Sequence, residues 1–533
     1  MSMEETDILV VGSGVAGSLV AWRLAGQGRK VTILEAGPRL DRSDLVERYR
    51  QLVDKDDYMA PYPGEPHAPE AGDGSDYIVE NGPDRYGTQY IRGVGGTTWH
   101  WAAASWRLLP VDFRLKSAHG VGRDWPIGYE DIEPWYQRAE LAMGVAGPDP
   151  KAEDLGSPRS APYPQKALPL SYMDRQFAER LNGNGFQVVT EPVARNYDIY
   201  DDRPPCCGNN NCMPICPIGA QYAAEVHVAK AEEAGARLIE NAVAHEVLVD
   251  AGSRRVAGVR YKTPDGQSHA IAAKIVVLAA NGIETPKLML LSASERLPGG
   301  LANSSGMVGR NLMDHPAIAV SFLWDRPVFP GRGPQEMTSV VNFRDGGFRA
   351  TQAAKKLHLG NVADYRGVTE ALLAAGRRGP ELDRGIRDRV ARKVAISSFH
   401  EQLPDPANRI RPSTGHRDAI GIPRPEVSYS IGSYVRDSAA HTRQAYDRIA
   451  ALLGGTEVTH GEGFTGSSHI MGTCIMGADA KDSVVDGEGR SHDHPNLYIA
   501  GSSVFSSAAC VNPTLTIAAL ALRLADTIGR QAG

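Results

Sequence analysis

Cysteine is scarce, with six residues in a chain of 533. That number is too small for a disulfide scaffold at this length. Aromatic residues make up only 7%, and 57 lysines and arginines fall short of 63 aspartates and glutamates, leaving a net charge of −6. With no long basic block, nucleic acid is not an expected partner. No apolar run reaches the roughly 18 residues that suggest a membrane span. The best, Thr514 to Leu522, is far shorter. The opening MSMEETDILVV is acidic and enters a strand-like run at once, without the basic and apolar segments of an export signal. Export or membrane attachment is therefore expected to depend on a partner. The remaining composition, 42% hydrophobic and 23% charged, is that of a folded globular protein with two or three structural regions.

Asp7 to Val11 reads as a branched-apolar strand that runs into Gly12-Ser13-Gly14-Val15-Ala16-Gly17. A helical pattern, Ser18 to Gly28, and a second strand, Lys30 to Leu34, ending at Glu35, complete the unit. Glycines in this setting allow a tight turn and close backbone approach, so that a helix amino terminus can face a pyrophosphate. A carboxylate at Glu35 suits the ribose of an adenosine. The bland alternative is a glycine turn with a surface glutamate. Because no regular succession of similar units follows, the pattern favours a bound flavin over a nicotinamide. A second glycine-rich stretch, Gly93 to Trp101, could bring its backbone against a planar ring, with Thr97 and Thr98 supplying hydroxyls, or could be a turn before a core aromatic patch.

Residues 38 to 90, rich in proline, glycine and acids, read as covering loops after a possible helix near Leu45 to Asp54. Helices are expected at Tyr129 to Met143, Gln221 to Glu233 and Arg436 to Leu453. Strands are expected at Arg237 to Asp250, Arg255 to Thr263 and Lys274 to Ala280, and again at Ile318 to Leu323 and Pro425 to Ile431. Arg377 to Lys393 stands out only as a charged stretch, and 317 to 458 reads as a second, strand-rich domain.

Four of the six cysteines crowd into CCGNNNCMPICP, residues 206 to 217. Cys206, Cys212 and Cys216 have the spacing C-x5-C-x3-C, and the three asparagines between them could donate to sulfur. Iron-sulfur ligation, zinc, or disulfides and buried thiols all remain open on the loop alone; Cys207 is the residue to leave off a metal. Near the carboxy terminus, GSSHIMGTC and GSSVFSSAACVNPTLT precede an apolar helix, Thr514 to Ile528. Proline at its first turn leaves no hydrogen bond unmet. His469 has the right chemistry for a base acting on an alcohol, and Asn512 could orient that hydroxyl. Equally, a lone histidine is often structural, Asn512 could simply cap its helix, and His100, His315, His492 and His494 are other candidates.

Taken together, Gly12 to Gly17 with Glu35, Gly93 to Trp101, Ala280 to Pro286, His469 to Cys474 and Gly501 to Thr516 resemble the glucose-methanol-choline (GMC) family of flavin oxidoreductases over essentially the whole chain. The cysteine loop and length resemble its bacterial FAD-dependent glucose dehydrogenase subgroup. The resemblance implies an α/β fold in which a Rossmann-like FAD domain is interrupted by a sheet-based α+β substrate domain. The FAD domain would cover mainly 1–316, including loops 38–90 and an iron-sulfur loop at 203–219. The substrate domain would be 317–458, with a return to the FAD domain over 459–533. Implied FAD-binding residues are Gly12, Gly14, Gly17, Glu35, Gly95, Gly96, Thr97, Thr98, His100, Ala280, Gly501, Asn512, Pro513 and Thr514. His100 falls where some relatives attach flavin covalently, although non-covalent FAD is expected here.

The same resemblance implies a [3Fe-4S] cluster on Cys206, Cys212 and Cys216, with His469 as catalytic base and Asn512 as its partner. The implied reaction is oxidation of the C1 hydroxyl of glucose to the lactone, with fructose, sorbitol, gluconate or a glucoside as alternative substrates. Implied partners are a small subunit bearing a twin-arginine signal and a multihaem cytochrome c, at the periplasmic face of the inner membrane. A reading of a different class is a zinc-stabilised, non-catalytic flavoprotein subunit.

Overall fold

Branched apolar residues at Ile8 to Val11 and Val31 to Leu34 are buried and pair in parallel, Ile8 opposite Val31. A strand buried on both faces must be covered by helices, and this sheet is. The computed structural model describes residues 4–55, 57–62, 64–72 and 75–531. Within it, a parallel array runs Arg237–Ile239, Val31–Leu34, Glu4–Val11, Ser268–Leu278 and Leu497–Ile499. The long strand Ser268–Leu278 serves two neighbours in succession. Its first half pairs antiparallel with Val256–Lys262, which pairs in turn with Val243–Val249, while its second half pairs with Leu497–Ile499. Helix Val15–Ala25 packs against helices Thr514–Gln531 and Glu225–Glu233, and Thr514–Gln531 packs also on Tyr129–Met143. Small residues at Ala518, Ala519, Ala521 and Ala525 are fully buried along Thr514–Gln531, allowing close helix contact.

A second sheet is wholly antiparallel, in the order Thr456–His460, Ala317–Leu323, Lys393–His400, Lys355–Gly360, Thr338–Val340, Val188–Thr190. Its last strand comes from outside the 317–458 segment. Helix Ser433–Leu452 lays Ala439, Tyr446, Ile449 and Ala450 on Val320, Phe322, Val394 and Ile396 to form a separate core. The other face of the sheet turns toward the carboxy ends of the parallel strands, where ligands bind in open α/β folds. Among the described residues no helix is long and apolar enough to cross a membrane.

Three elements depart from the expectation for local reasons. Arg237 to Asp250 is two strands because Asn241 takes a left-handed φ of 55° and its N–H donates to the carbonyl of Gly37 at 3.1 Å. The helix expected from Gln221 begins only at Glu225, because the N–H of Ala224 donates to Thr98 Oγ1 at 2.8 Å. The charged stretch 377–393 contains an exposed helix, Gly379–Val390, in which Val390 alone is buried.

Candidate active site

Two glycine turns and the start of the last helix converge on one cavity of about 380 Å³. Gly12 ends the first strand at φ +100°, and a Cβ there would lie 2.6 Å from the carbonyl oxygen of Ala279. A Cβ on Gly17 would collide with the carbonyl of Gly12, so Gly17 serves the close packing of helix on strand. Nothing lies within 4 Å of a Cβ built on Gly14, which lines the cavity. This is the open cradle a pyrophosphate needs at the amino end of helix Val15–Ala25. Glu35 is buried. Its Oε2 accepts from Ser13 N at 2.9 Å and Ser13 Oγ at 2.6 Å, and its Oε1 accepts from Gly37 N at 3.2 Å. Burial raises the pKa of Glu35 and these hydrogen bonds oppose the rise. Ser13 Oγ accepts in turn from Gly95 N at 3.2 Å, joining the two glycine stretches.

The cavity is lined by Gly12, Gly14, Glu35, Gly96, Thr97, Thr98, His100, Ala280, Gly501, Asn512, Pro513 and Thr514, and by His469. Gly17 and Gly95 are not on its wall; they pack behind it. His100 Nε2 is buried without a hydrogen-bond partner, and burial pushes its pKa down to about 4. A cavity of this size with an open glycine cradle, a buried carboxylate and an unpartnered ring nitrogen fits a dinucleotide carrying a large planar ring.

His469 is positioned by Asp314. The Asp314 carboxylate accepts from His469 N at 2.9 Å, Ser467 N at 2.9 Å and Ser467 Oγ at 2.6 Å, pinning the turn in which Ser468 has φ 60°. His315 then settles the tautomer. A carbonyl only accepts, so His315 Nε2–H donates to Ala508 O at 3.0 Å, and the Nδ1 of a neutral His315 is left as an acceptor. His469 Nδ1–H donates to it at 2.8 Å, with Ser467 Oγ a second acceptor at 3.1 Å. The lone pair of His469 Nε2 consequently faces the cavity, 3.4 Å from Asn512 Nδ2. Burial, then the nearby His315, Lys356 and His358, hold His469 well below the ordinary histidine pKa, and His315 is lowered chiefly by burial. Both rings are neutral at pH 7, as that chain of hydrogen bonds requires.

The Asn512 amide is oriented by a cation. Lys356, fully buried on strand Lys355–Gly360, donates to Asn512 Oδ1 at 3.2 Å and to Glu191 Oε1 at 2.8 Å. Ser339 Oγ donates to the same carboxylate oxygen. Burial opposes ionisation of Glu191, but Lys356 and His358 outweigh it and the carboxyl stays below its usual pKa. Because an ammonium can only donate, Asn512 must present Oδ1 to Lys356 and Nδ2 to His469. Lys356, Glu191 and Asp314 were not visible as site residues in the sequence, and His315 was one histidine among several. They lie 154 to 165 residues from the groups they bond and orient, and no local spacing signals them.

The cysteine loop corrects the expectation of a [3Fe-4S] cluster on Cys206, Cys212 and Cys216. All six cysteines are free, and among the described residues no group of three or more His, Cys, Asp or Glu side chains is placed to hold a metal ion. Zinc and the relay of electrons through iron are corrected with it. Cys212 is buried, Cys206 and Cys216 partly so, and Cys207 is exposed. Burial, with a smaller contribution from Cys212 and Cys216, raises the Cys206 thiol pKa. The loop has another physical role. Asn210 Nδ2 donates to Gly333 O at 2.7 Å and Asn361 O at 2.8 Å, and Arg42 Nη1 donates to Cys216 O at 2.9 Å. An amide expected to face sulfur instead ties the loop to Gly333 and to Asn361, which follows the interior strand Lys355–Gly360 of the second sheet, and Met213 from this loop lines the cavity.

The class of protein that this fold and cavity define is a flavoprotein oxidoreductase. Residues 7–317 and 404–521 match the two parts of the GMC oxidoreductase family. The chain belongs to that family of FAD-dependent enzymes acting on CH–OH groups, with a mixed α/β fold and separate FAD-binding and substrate-binding sheets.

It is 48% identical over 530 residues to the fructose dehydrogenase large subunit of Gluconobacter japonicus, covering 98% of this chain and 97% of that one. It is 30% identical over 579 residues to the 2-methyl-1,2-propanediol dehydrogenase of Mycolicibacterium austroafricanum, covering 99% and 96%. A solved formate oxidase of Aspergillus oryzae shares the fold with a TM-score of 0.67 at 14% identity, covering 100% and 99%. The first of these likenesses, together with the lack, among the described residues, of side chains placed to hold a metal ion, overturns the expectation of glucose oxidation at C1 through a cluster. It favours the fructose alternative.

Proposed function

We propose that the chain oxidises a carbinol of a ketohexose or related polyol, with D-fructose the first candidate. The observation that carries the reaction is the lone pair of His469 Nε2 facing the cavity beside Asn512 Nδ2, at 3.4 Å. The full-length likeness to a fructose dehydrogenase large subunit supports the choice of substrate. FAD, when bound against Gly12, Gly14, Glu35, Gly96 and the 512–514 turn, supplies the acceptor for the hydride that leaves the carbinol carbon. His469 Nε2 takes the hydroxyl proton as the carbonyl forms, while Asn512 Nδ2 donates to the substrate oxygen and fixes its direction. On protonation, His469 keeps its Nδ1–H bond to His315, so the ring does not turn. Burial, then the nearby His315 and Lys356, disfavour the imidazolium, so Nε2 gives its proton up to water once the carbonyl product has left the cavity.

Because its 48% identical relative is a large subunit, a further subunit is part of the same proposal. A small twin-arginine-bearing chain and a multihaem cytochrome c are the partners expected, and co-purification from the native host tests them.

The reaction is tested by anaerobic mixing of the flavin-loaded protein with fructose, sorbitol, gluconate and glucose, following flavin absorbance. Fructose should bleach fastest, and His469→Ala should slow bleaching by about 100-fold or more. Unchanged bleaching in that variant would remove His469 from the base role, and faster bleaching by glucose would overturn the substrate.

A further inference from the structure

Glu336 combines three features that the mechanism above leaves unused. It lines the same cavity as His469, its Oε2 is buried with no hydrogen-bond partner, and its backbone is in the left-handed region at φ 49°. A carboxylate oxygen removed from water without a donor is costly, and left-handed backbone at a residue with a long side chain is strained. Such strain persists only where the surroundings enforce it, and here they do. Arg195 Nη1 donates to Gln335 O at 2.8 Å, Gln335 Oε1 accepts from Met213 N at 3.0 Å, and Met337 O accepts from Glu191 N at 2.9 Å. Both flanking residues are thus tied down, and Glu336 is left to face the cavity.

The imidazole beside it does not satisfy it. His358 Nε2 stands 3.9 Å from Glu336 Oε1, beyond hydrogen-bond reach, and His358 Nδ1 is itself buried without a partner. Phe399 lines the same cavity and touches both imidazoles, with ring centroids 4.6 Å from His358 and 5.1 Å from His469. One cavity thus carries an unpartnered acceptor at Glu336, an apolar ring at Phe399 and the proton-abstracting His469. That combination matches a polyhydroxylated carbon chain, whose C–H face can lie on Phe399 while hydroxyls reach the polar groups.

We infer that Glu336 is a specificity-determining residue whose free carboxylate oxygen accepts hydrogen bonds from substrate hydroxyls remote from the carbon being oxidised. The inference rests on the proposed oxidation of a sugar or polyol and adds the side chain that selects for multiple hydroxyls. A site built to donate or accept hydrogen bonds rejects analogues that cannot complete them far more strongly than an apolar pocket rejects extra bulk.

The test compares wild type, Glu336→Gln and Glu336→Asn as flavin-loaded protein, asparagine being the side chain best suited to the left-handed backbone should glutamine fail to fold. Calorimetry with D-fructose and D-sorbitol, and anaerobic flavin bleaching by the same compounds, are the readouts. Loss of a hydrogen bond to a charged group should raise the dissociation constant and the half-saturating concentration by about tenfold or more, with a smaller effect on the limiting rate. Affinities unchanged in a folded variant would overturn the inference, as would failure of wild type to bind either compound. Binding that depends on Glu336 without any bleaching would support the inference and overturn the proposed reaction instead.

Discussion

Replacing Lys356 with methionine removes a cation from a fully buried pair while leaving an unbranched side chain only one atom shorter. Two consequences follow, and they can be separated. Glu191 is left buried without its counter-charge, with Oε2 already unpartnered, and breaking one half of a buried ion pair costs about 3–5 kcal/mol. Asn512 also loses the donor that fixes its amide, a hydrogen bond worth about 1–3 kcal/mol when one partner is charged. The double variant Lys356→Met with Glu191→Leu removes both charges, and an apolar pair in their place is often as stable as the original. Denaturant unfolding should therefore show Lys356→Met markedly destabilised and the double variant close to wild type. Anaerobic flavin bleaching should not recover in parallel. With Asn512 free to turn, the limiting rate should stay about 5-fold or more below wild type in both variants. A double variant that regained stability and full rate together would refute the assignment of Lys356 as the residue that positions Asn512. A single variant as stable as wild type would refute the charge argument.

Gly17→Ala and Gly14→Ala should fail differently. The added methyl collides with the Gly12 carbonyl in the first case, which should lower the yield of folded protein, but meets open cavity in the second. Gly14→Ala should fold and lose bound FAD, which melting temperature and the flavin-to-protein ratio would distinguish; full flavin retention would remove Gly14 from the cradle. The share of stability carried by the buried histidines should fall with acidification, against the opposite contribution of Glu70, whose carboxyl burial pushes up to about 8. Burial pushes the pKa of His100 down to about 4 and that of His227 and His400 to about 3, and keeps His469 low as well. Below the unfolded value of about 6.5 these side chains take up protons in the unfolded chain and not in the folded one, so unfolding is favoured as pH drops from about 6.5 toward 4. A His400→Phe variant whose unfolding free energy changes between pH 7 and pH 5 as steeply as that of wild type would contradict this.

Much of the nucleotide cradle is legible in the sequence because it is local. A glycine turn between a buried strand and a helix works through residues a few positions apart, and Gly12, Gly14 and Gly17 divide the work among tight turn, open floor and close packing. The apolar helix Thr514–Gln531, with Asn512-Pro513 before it, is legible for the same reason. The cysteine loop shows the limit of such reading. Spacing suggests converging thiolates, but the fates of Cys206, Cys212 and Cys216 depend on where Asn210, Met213 and Arg42 find partners across other segments.

By itself, the sequence determines the βαβ start, the two glycine turns, the strand-rich middle and the residue types capable of acting on an alcohol. Only the tertiary structure decides which histidine nitrogen carries the free lone pair, since that depends on His315 meeting both the Ala508 carbonyl and His469. The same is true of Asn512, whose amide direction is set by a lysine 156 residues away. Hydrogen-bond direction and burial arise from neighbours in space, and a linear spacing carries neither.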